Sequence, residues 1–437
     1  MNKEGFNSIL IFSFICAILF VGIVKKAHAI PAFARKYRTS CVTCHISFPK
    51  LTPFGEAFRN NGFQWSVDDE EYVKEKPLKL GAEAYKRVFP DAVWPGSIPG
   101  IPPVSFRAKG GLRISPSEEV KSSFIPPTLQ FLAAGTLGEN ITFFAGAHLF
   151  EENEIGSIDR FYIKLDNLLT NYLPYYFFNI RIGQFIPELV PFASNHRGTT
   201  ITPYAFNTYN PTMDEFPSEH VHEAGFGIEG FQIGTELSGI ISSRFRYVLG
   251  IVNGNGPGVS ATGESADHDH EASTNGEQAH PAKGDNNSAK DLYFRVSYKL
   301  GGMGYDGSGG EFSKTGKSRM EKSFAIGIFG YSGKAKDDVT EKNLSIKRIG
   351  TDFNWFMGDL NLYGGFISGA DEVIGHDGEI EEKSYNLLFS EANYMVYPWL
   401  MAVLRWEHAN LVNNSGIQRF VPNLSILLRA NIKISVE

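Results

Sequence analysis

Cys41 and Cys44 stand two residues apart and His45 follows at once, in the run Cys41-Val42-Thr43-Cys44-His45. Two thiols and an imidazole at this spacing support three chemistries. The thiols can add across the two vinyl groups of a haem while the imidazole takes the iron. They can form a redox-active disulfide. They can supply part of a zinc site. Zinc wants four ligands, and the sequence offers no second Cys pair and no nearby His. A thiol–disulfide site wants a βαβ setting, which the flanks do not provide. The chain has 3 Cys, and Cys16 lies in an apolar N-terminal run. The reading is therefore one haem c, attached through Cys41 and Cys44, with His45 as an axial ligand.

The opposite axial position is less easily filled. Between Ile30 and Ala147 no other His occurs, and after Met1 the first Met is Met213. A sixth ligand must come from the later chain, be a weaker group, or be missing. The candidates are His148, His196, Met213, His220 and His222. His148 stands first, because it shares one face of an alternating segment with Thr142, Phe144 and Gly146, and a strand fixes its direction. Phe33, Tyr37, Phe54 and Phe58, with Phe48 and Phe63, can cover an apolar macrocycle. A further cluster, His268-Asp269-His270-Glu271, could capture a transition-metal ion such as Fe(II). It lies in a Gly-, Asn-, Asp- and His-rich stretch that reads equally as a solvated loop.

The elements that must position these groups follow from local pattern. Pro31 to Tyr37 suits a short helix with Pro at its first position. Thr52-Pro53 reads as N-cap and first residue of a second helix, with Asn61-Gly62 closing it. The segment 30–67 is too short to enclose a core alone, so a haem there must pack against something else. Before it, residues 1–29 read as a secretory signal, an apolar run from Ile9 to Val24 followed by Ala27-His28-Ala29. After it, residues 68–103 read as a Pro-rich linker.

From Val104 the texture changes to alternation. In Leu292 to Leu300 an apolar face of Leu, Phe, Val, Tyr and Leu alternates with Tyr, Arg, Ser and Lys. Similar strands are predicted at 104–114, 141–150, 157–166, 175–185, 224–235, 243–252, 290–300, 323–332, 345–356, 358–368, 384–396, 399–409 and 419–436. Strands of about ten residues, aromatic residues at their ends and charges confined to one face describe a membrane-spanning sheet with a wet lumen. The expected fold is all-β: a transmembrane antiparallel β-barrel of about 14 to 16 strands over residues 104–437, with a small N-terminal helical haem module. Gly (45 residues) and aromatics (13%) suit such a protein, and a net charge of −7 excludes nucleic acid as a partner.

Pro31-Ala-Phe-Ala-Arg35, the run Cys41 to His45, Phe48-Pro-Lys-Leu51 and Phe54-Gly-Glu-Ala-Phe58-Arg with Asn61-Gly62 resemble the N-terminus of the fused monohaem cytochrome–porins of bacterial outer membranes. That family includes iron oxidases of Fe(II)-oxidising bacteria. The resemblance implies one haem held at or within the mouth of a barrel of about 16 strands. It also implies extracellular Fe(II) as donor and an iron:cytochrome oxidoreductase activity. The expected function is electron transfer across the outer membrane to a periplasmic c-type cytochrome, with membrane lipid as the other partner. The alternative is an anion or solute porin whose haem module is a plug or sensor. Lumen-facing Arg107, Lys109, Arg113, Arg244, Arg246 and Arg295 would favour anions. A peroxidase-like haem enzyme is a third reading, with no acid–base pair near the motif to recommend it.

Overall fold

A computed structural model describes residues 31–66, 68–76, 78–79, 87–88, 97–98, 102–115, 122–138, 140–150, 158–191, 198–208, 231–254, 288–309, 321–336, 342–374, 378–410 and 416–437. The signal read at 1–29 and the cluster His268 to Glu271 lie outside them, as do His196, Met213, His220 and His222.

The N-terminal part is a helical collar. Helix α1 (Ala32–Lys36) has Pro31 at its N-cap, one place earlier than the sequence reading put it. Helix α2 (Cys41–Cys44) is a single turn. Strands β1 (His45–Ser47) and β2 (Lys50–Leu51) form a tight ladder after it. Helix α3 (Pro53–Asn60) starts as expected: the Thr52 side chain accepts from the Gly55 N–H, Pro53 follows at the first position, and Asn61 caps the far end. The linker reading of 68–103 needs correcting at its head. Helix α4 (Asp69–Tyr72) folds back on the collar, where Asp69 accepts hydrogen bonds from the Tyr37 hydroxyl and the Trp65 N–H. Further on, β3 (Leu78–Lys79) pairs with β4 (Ser97–Ile98).

The remainder is one 15-stranded sheet in which every strand pairs antiparallel with its neighbours in sequence. It runs from β5 (Val104–Ile114) through β6 (Ser122–Thr136), β7 (Ile141–Phe150), β8 (Ile158–Leu165), β9 (Asn179–Phe185), β10 (Gln232–Ile241), β11 (Phe245–Val252) and β12 (Asp291–Gly301). It continues with β13 (Lys322–Lys336), β14 (Asn343–Met357), β15 (Leu360–Ile374), β16 (Ile380–Tyr397), β17 (Leu400–Asn410), β18 (Gly416–Arg429) and β19 (Ile432–Val436).

Three strand readings change. β6 escaped notice because Pro126-Pro127 interrupt it; the sheet absorbs them at a bulge, where the register passes from Lys109↔Thr128 to Gly111↔Ile125. Of the strand read at 224–235, residues 224–230 lie outside the described residues, and the rest opens β10 at Gln232, which runs on to Ile241. The long strand read at 419–436 is two, β18 and β19, folded at Ala430-Asn431. Closure also differs from a simple antiparallel barrel. With an odd number of strands, β5 and β19 run in the same direction, and among the described residues no ladder joins them.

The burial pattern is inverted relative to a soluble protein. Along β12, Asp291, Tyr293, Arg295, Ser297 and Lys299 are buried, while Leu292, Phe294, Tyr298 and Leu300 are exposed. Exposed apolar side chains recur on the outer face of β17 and β18, at Leu404, Phe420 and Leu424. An apolar exterior around a polar interior is what lipid on one side and water on the other select. Tyr172, Tyr175, Tyr298, Trp355, Tyr397 and Trp399 are exposed near one end of the sheet, as an interfacial aromatic belt requires. At that same end tight turns join β14 to β15, β16 to β17 and β18 to β19. The connections β9–β10 and β11–β12, at the other end, are long. The chain is thus a mostly β, porin-like barrel protein of the outer membrane, on the strength of its own alternation. No helix among the described residues is long and apolar enough to cross a membrane.

Candidate haem site in the barrel mouth

The collar sits inside the tight-turn end of the barrel. Gly62 shows how closely. It follows the Asn61 cap with φ +70°, and a Cβ there would stand 2.3 Å from Thr142 Oγ1 and 2.5 Å from Asp166 Oδ2. The Thr142 hydroxyl donates to the Gly62 carbonyl at 3.1 Å, and Lys164 Nζ donates to the Asn60 carbonyl at 2.6 Å. Asn61 Nδ2 donates to the Asp306 carbonyl, and the Tyr176 hydroxyl to the Ser66 carbonyl. Deeper in, the Lys50 ammonium is 3.1 Å from Glu391 Oε1 on β16, with both side chains 1% exposed. Ile46 packs with Phe356, Met395, Met401 and Val403 of the wall.

Glu391 is a junction. Besides Lys50 it accepts from the Tyr204 hydroxyl (2.6 Å), from Asn393 Nδ2 (2.8 Å) and from the Thr199 hydroxyl (3.3 Å). Thr199 and Tyr204 belong to the segment after β9, which folds into the lumen. Arg405 and Arg419 donate to the Pro203 carbonyl, and Glu407 accepts from the Ala205 N–H. Leu189, Val190, Tyr204 and Phe206 fill the interior beside Phe329, Tyr363 and Phe389.

Between collar, wall and inward segment lies a cavity of about 310 Å³. Cys41, Cys44 and His45 line it. So do Phe33, Tyr37, Phe54 and Phe58, the four rings expected to cover a macrocycle, together with Phe48 and Phe63. Phe33 stacks on Phe63 at 5.0 Å and meets Phe58 edge-on at 5.2 Å. The wall adds Arg107, Gln130, Phe144, Arg160, Tyr162 and Arg181, and the inward segment adds Ile186 to Glu188.

The electrostatics of the motif discriminate among its chemistries. Cys41 and Cys44 are free thiols. Burial pushes the Cys44 thiol up to about 12, so it is no low-pKa nucleophile of the kind thiol–disulfide exchange uses. Among the described residues no three His, Cys, Asp or Glu side chains gather as a metal-ion site. Burial also pulls His45 down to about 4, so the imidazole is neutral at neutral pH. Its Nδ1–H donates to the Pro49 carbonyl at 3.1 Å. That bond leaves Nε2 as the free lone pair, the tautomer an iron ligand needs. Two free thiols, an oriented neutral imidazole and a ring-lined cavity fit a covalently attached haem.

His148 points inward, as its alternation implied, but it does not line the cavity. Its Nε2 lies 2.5 Å from Nε2 of Gln130, which does. Arg107, Gln130 and His148 form one cross-strand row, with Arg107 opposite Gln130 and Gln130 opposite His148. Gln130, Arg160, Arg181 and Glu188 were missed by the sequence reading, which had Arg107 only as a lumen-facing cation. Only the register of β5, β6 and β7 and the inward fold after β9 bring them to the motif. Of the cations read as lumen-facing, Arg246 holds Glu188 at 2.8 Å and Arg295 holds Asp352. Arg244 lies in the β10–β11 turn instead, donating to the Gly301 carbonyl.

No protein-family model matches the sequence, and no curated protein is similar to it. Among solved structures, the chain is similar to the anion-selective porin of Comamonas acidovorans, at 12% identity and a TM-score of 0.46 over 75% of this chain and 85% of that one. It is also similar to the outer-membrane channel DcaP of Acinetobacter baumannii, at 8% identity and a TM-score of 0.43 over 76% of this chain and 89% of that one.

Proposed function

We propose that the chain is an outer-membrane electron-transfer protein with a single haem c seated in the mouth of its barrel. One observation supports this most: the thiols of Cys41 and Cys44 and the imidazole of His45 face one ring-lined cavity that collar and barrel build jointly. Cys41 and Cys44 would hold the haem by thioether bonds, and His45 Nε2 would ligate its iron. Bound there, haem supplies one-electron chemistry. The chain's own residues do the rest. Phe33, Phe58 and Phe63 exclude water, and the Pro49 carbonyl fixes the His45 tautomer. His148 does not line the cavity, and its bond to Gln130 would have to break before it could serve as a second ligand.

In outer-membrane barrels the short turns face the periplasm. The collar at that end then puts the haem within reach of a periplasmic c-type cytochrome. Trp65 lines the cavity and stacks on Tyr72 at 4.2 Å and 5°, and Tyr72 is 42% exposed. This pair offers an exit. Donors arrive from the other side, and extracellular Fe(II) is the donor the N-terminal resemblance implies. Its activity would be that of an iron:cytochrome oxidoreductase.

The polar lumen favours a second reading, an anion or solute porin with the collar as plug. Against it, Arg181, Arg246, Arg295 and Arg348 are each engaged by a carboxylate. Purified protein in detergent decides between the two. The electron-transfer reading expects a c-type spectrum that Fe(II) reduces within seconds, lost in Cys44→Ala. A haem that no donor reduces, together with high single-channel conductance, would establish the porin.

A further inference from the structure

We infer that the layer of rings filling the lumen, centred on Tyr363 and Phe389, is the route by which an electron passes from the long-loop end of the barrel to the cavity. The inference rests on the haem reading proposed above and supplies its entry side. Leu189, Tyr204, Phe206, Phe329, Tyr363 and Phe389 are each at most 3% exposed. A hydrated cation does not pass through side chains packed at the density of a protein interior. A donor such as Fe(II) therefore stops on the outer side of the layer, and its electron must cross it.

The rings touch across the layer. Between centroids, Phe389 of β16 lies 4.9 Å from Phe206, 5.5 Å from Tyr363 and 5.6 Å from Tyr204. On the inner side the layer reaches the cavity itself. Phe185 and Val190 belong to both, and Leu51, which lines the cavity, packs against the layer. Lys50, beside Leu51 on β2, lies 5.9 Å from the Tyr363 ring. On the outer side Tyr293, Tyr331 and Tyr385 continue the same cluster. The register sets them in one cross-strand row: Tyr293 opposite Tyr331, Tyr331 opposite Arg348, and Gly369 between Arg348 and Tyr385. The Arg348 guanidinium lies 5.1 Å from the Tyr385 ring. From Tyr385 down to Glu391, the partner of Lys50, β16 covers about 20 Å of strand. Electron tunnelling decays less steeply through contacting atoms than through water, so packed rings carry over this span what a wet lumen would not. The step moves one electron only. Fe(II) becomes Fe(III), the haem iron gains the electron, and no bond or proton changes hands. The rings supply coupling and are not themselves oxidised.

The test uses the full haem-loaded chain in proteoliposomes, with Fe(II) outside and an oxidised soluble c-type cytochrome trapped inside. Phe389→Leu and Tyr363→Leu should each slow reduction of the trapped cytochrome several-fold, and the double variant more than either. Phe389→Met refills the space with a flexible chain and should show the same loss. Phe389→Tyr and Tyr363→Phe keep a ring and should keep the wild-type rate, which a merely structural role for bulk would not distinguish from Met. Phe420→Leu, on the lipid face, should change nothing. In detergent, oxidation of the reduced haem by the same cytochrome should be equal in all variants, because that step uses the collar side. Wild-type transfer in the double variant, with an intact c-type spectrum, would overturn the inference. So would faster transfer accompanied by new conductance, which would make the layer a barrier and not a conduit. A wild-type chain without covalent haem would overturn the reading beneath it and the inference with it, and the spectrum reports that separately.

Discussion

At the scale of single residues, Gly55 controls the motif. A Cβ at this position would stand 2.1 Å from the Cys44 carbonyl oxygen, so α3 can cross the end of α2 only without a side chain there. Gly55→Ala must push one of the two helices away. Overpacking of this kind costs about 1 to 3 kcal/mol and displaces what it touches. The expected outcome is a several-fold loss of covalent haem per chain by the pyridine haemochrome assay, with the barrel still migrating as a folded species on unheated gels. Wild-type haem content would contradict this account of Gly55. The motif was fully legible in the sequence, and so were the Thr52-Pro53 start and the Asn61-Gly62 end of α3, because each is a local signal. The need for glycine at 55 and 62 was not. It arises from atoms distant in sequence or in another element, the Cys44 carbonyl and the Thr142 and Asp166 side chains.

At the scale of elements, helix α4 links the cavity to the surface. Its Tyr72 stacks on Trp65, and Trp65 packs against Phe54 at 4.9 Å. If electrons leave by this stack, Tyr72→Ala should slow oxidation of the reduced haem by a soluble c-type cytochrome several-fold in stopped flow. The absorption spectrum and the rate of reduction by donor should not change. Equal oxidation rates would remove the stack from the path. The sequence hid this element because Asp68-Asp69-Glu70-Glu71 reads as a solvated charge run. In the structure Asp69 is drawn in by Tyr37 and Trp65, and Lys36 lies 3.8 Å from it. The strands were legible for a different reason. Lipid outside and polar contacts inside impose period-two alternation on nearly all of them. It failed where a bulge housed Pro126-Pro127 in β6 and where a turn without Gly or Pro, Ala430-Asn431, split β18 from β19.

At the scale of the whole molecule, the question is what keeps collar, inward segment and barrel together, and Glu391 answers it. Its carboxylate binds Lys50 of the collar, Thr199 and Tyr204 of the inward segment, and Asn393 of its own strand. Lys50 and Glu391 are almost wholly buried. Burying the pair gains little in itself, but removing one partner leaves a charge without its counter-ion, at a cost of about 3 to 5 kcal/mol. Lys50→Ala should fall at the lower end, about 3 kcal/mol, since three hydrogen bonds to Glu391 survive. That is enough to loosen the collar without unfolding a barrel held by its own ladders. The wild-type chain should show little conductance in planar bilayers, because collar and inward segment fill the lumen. Lys50→Ala should open it, and should expose the collar to protease while the barrel stays resistant. The double variant Lys50→Met, Glu391→Leu should restore closure, because it removes both charges and keeps an apolar contact. Should Lys50→Ala conduct no more than wild type, the Lys50–Glu391 pair would not be what holds the collar in place. The weight would then fall on Gly62 and its contacts with Thr142, where β7 meets the mouth.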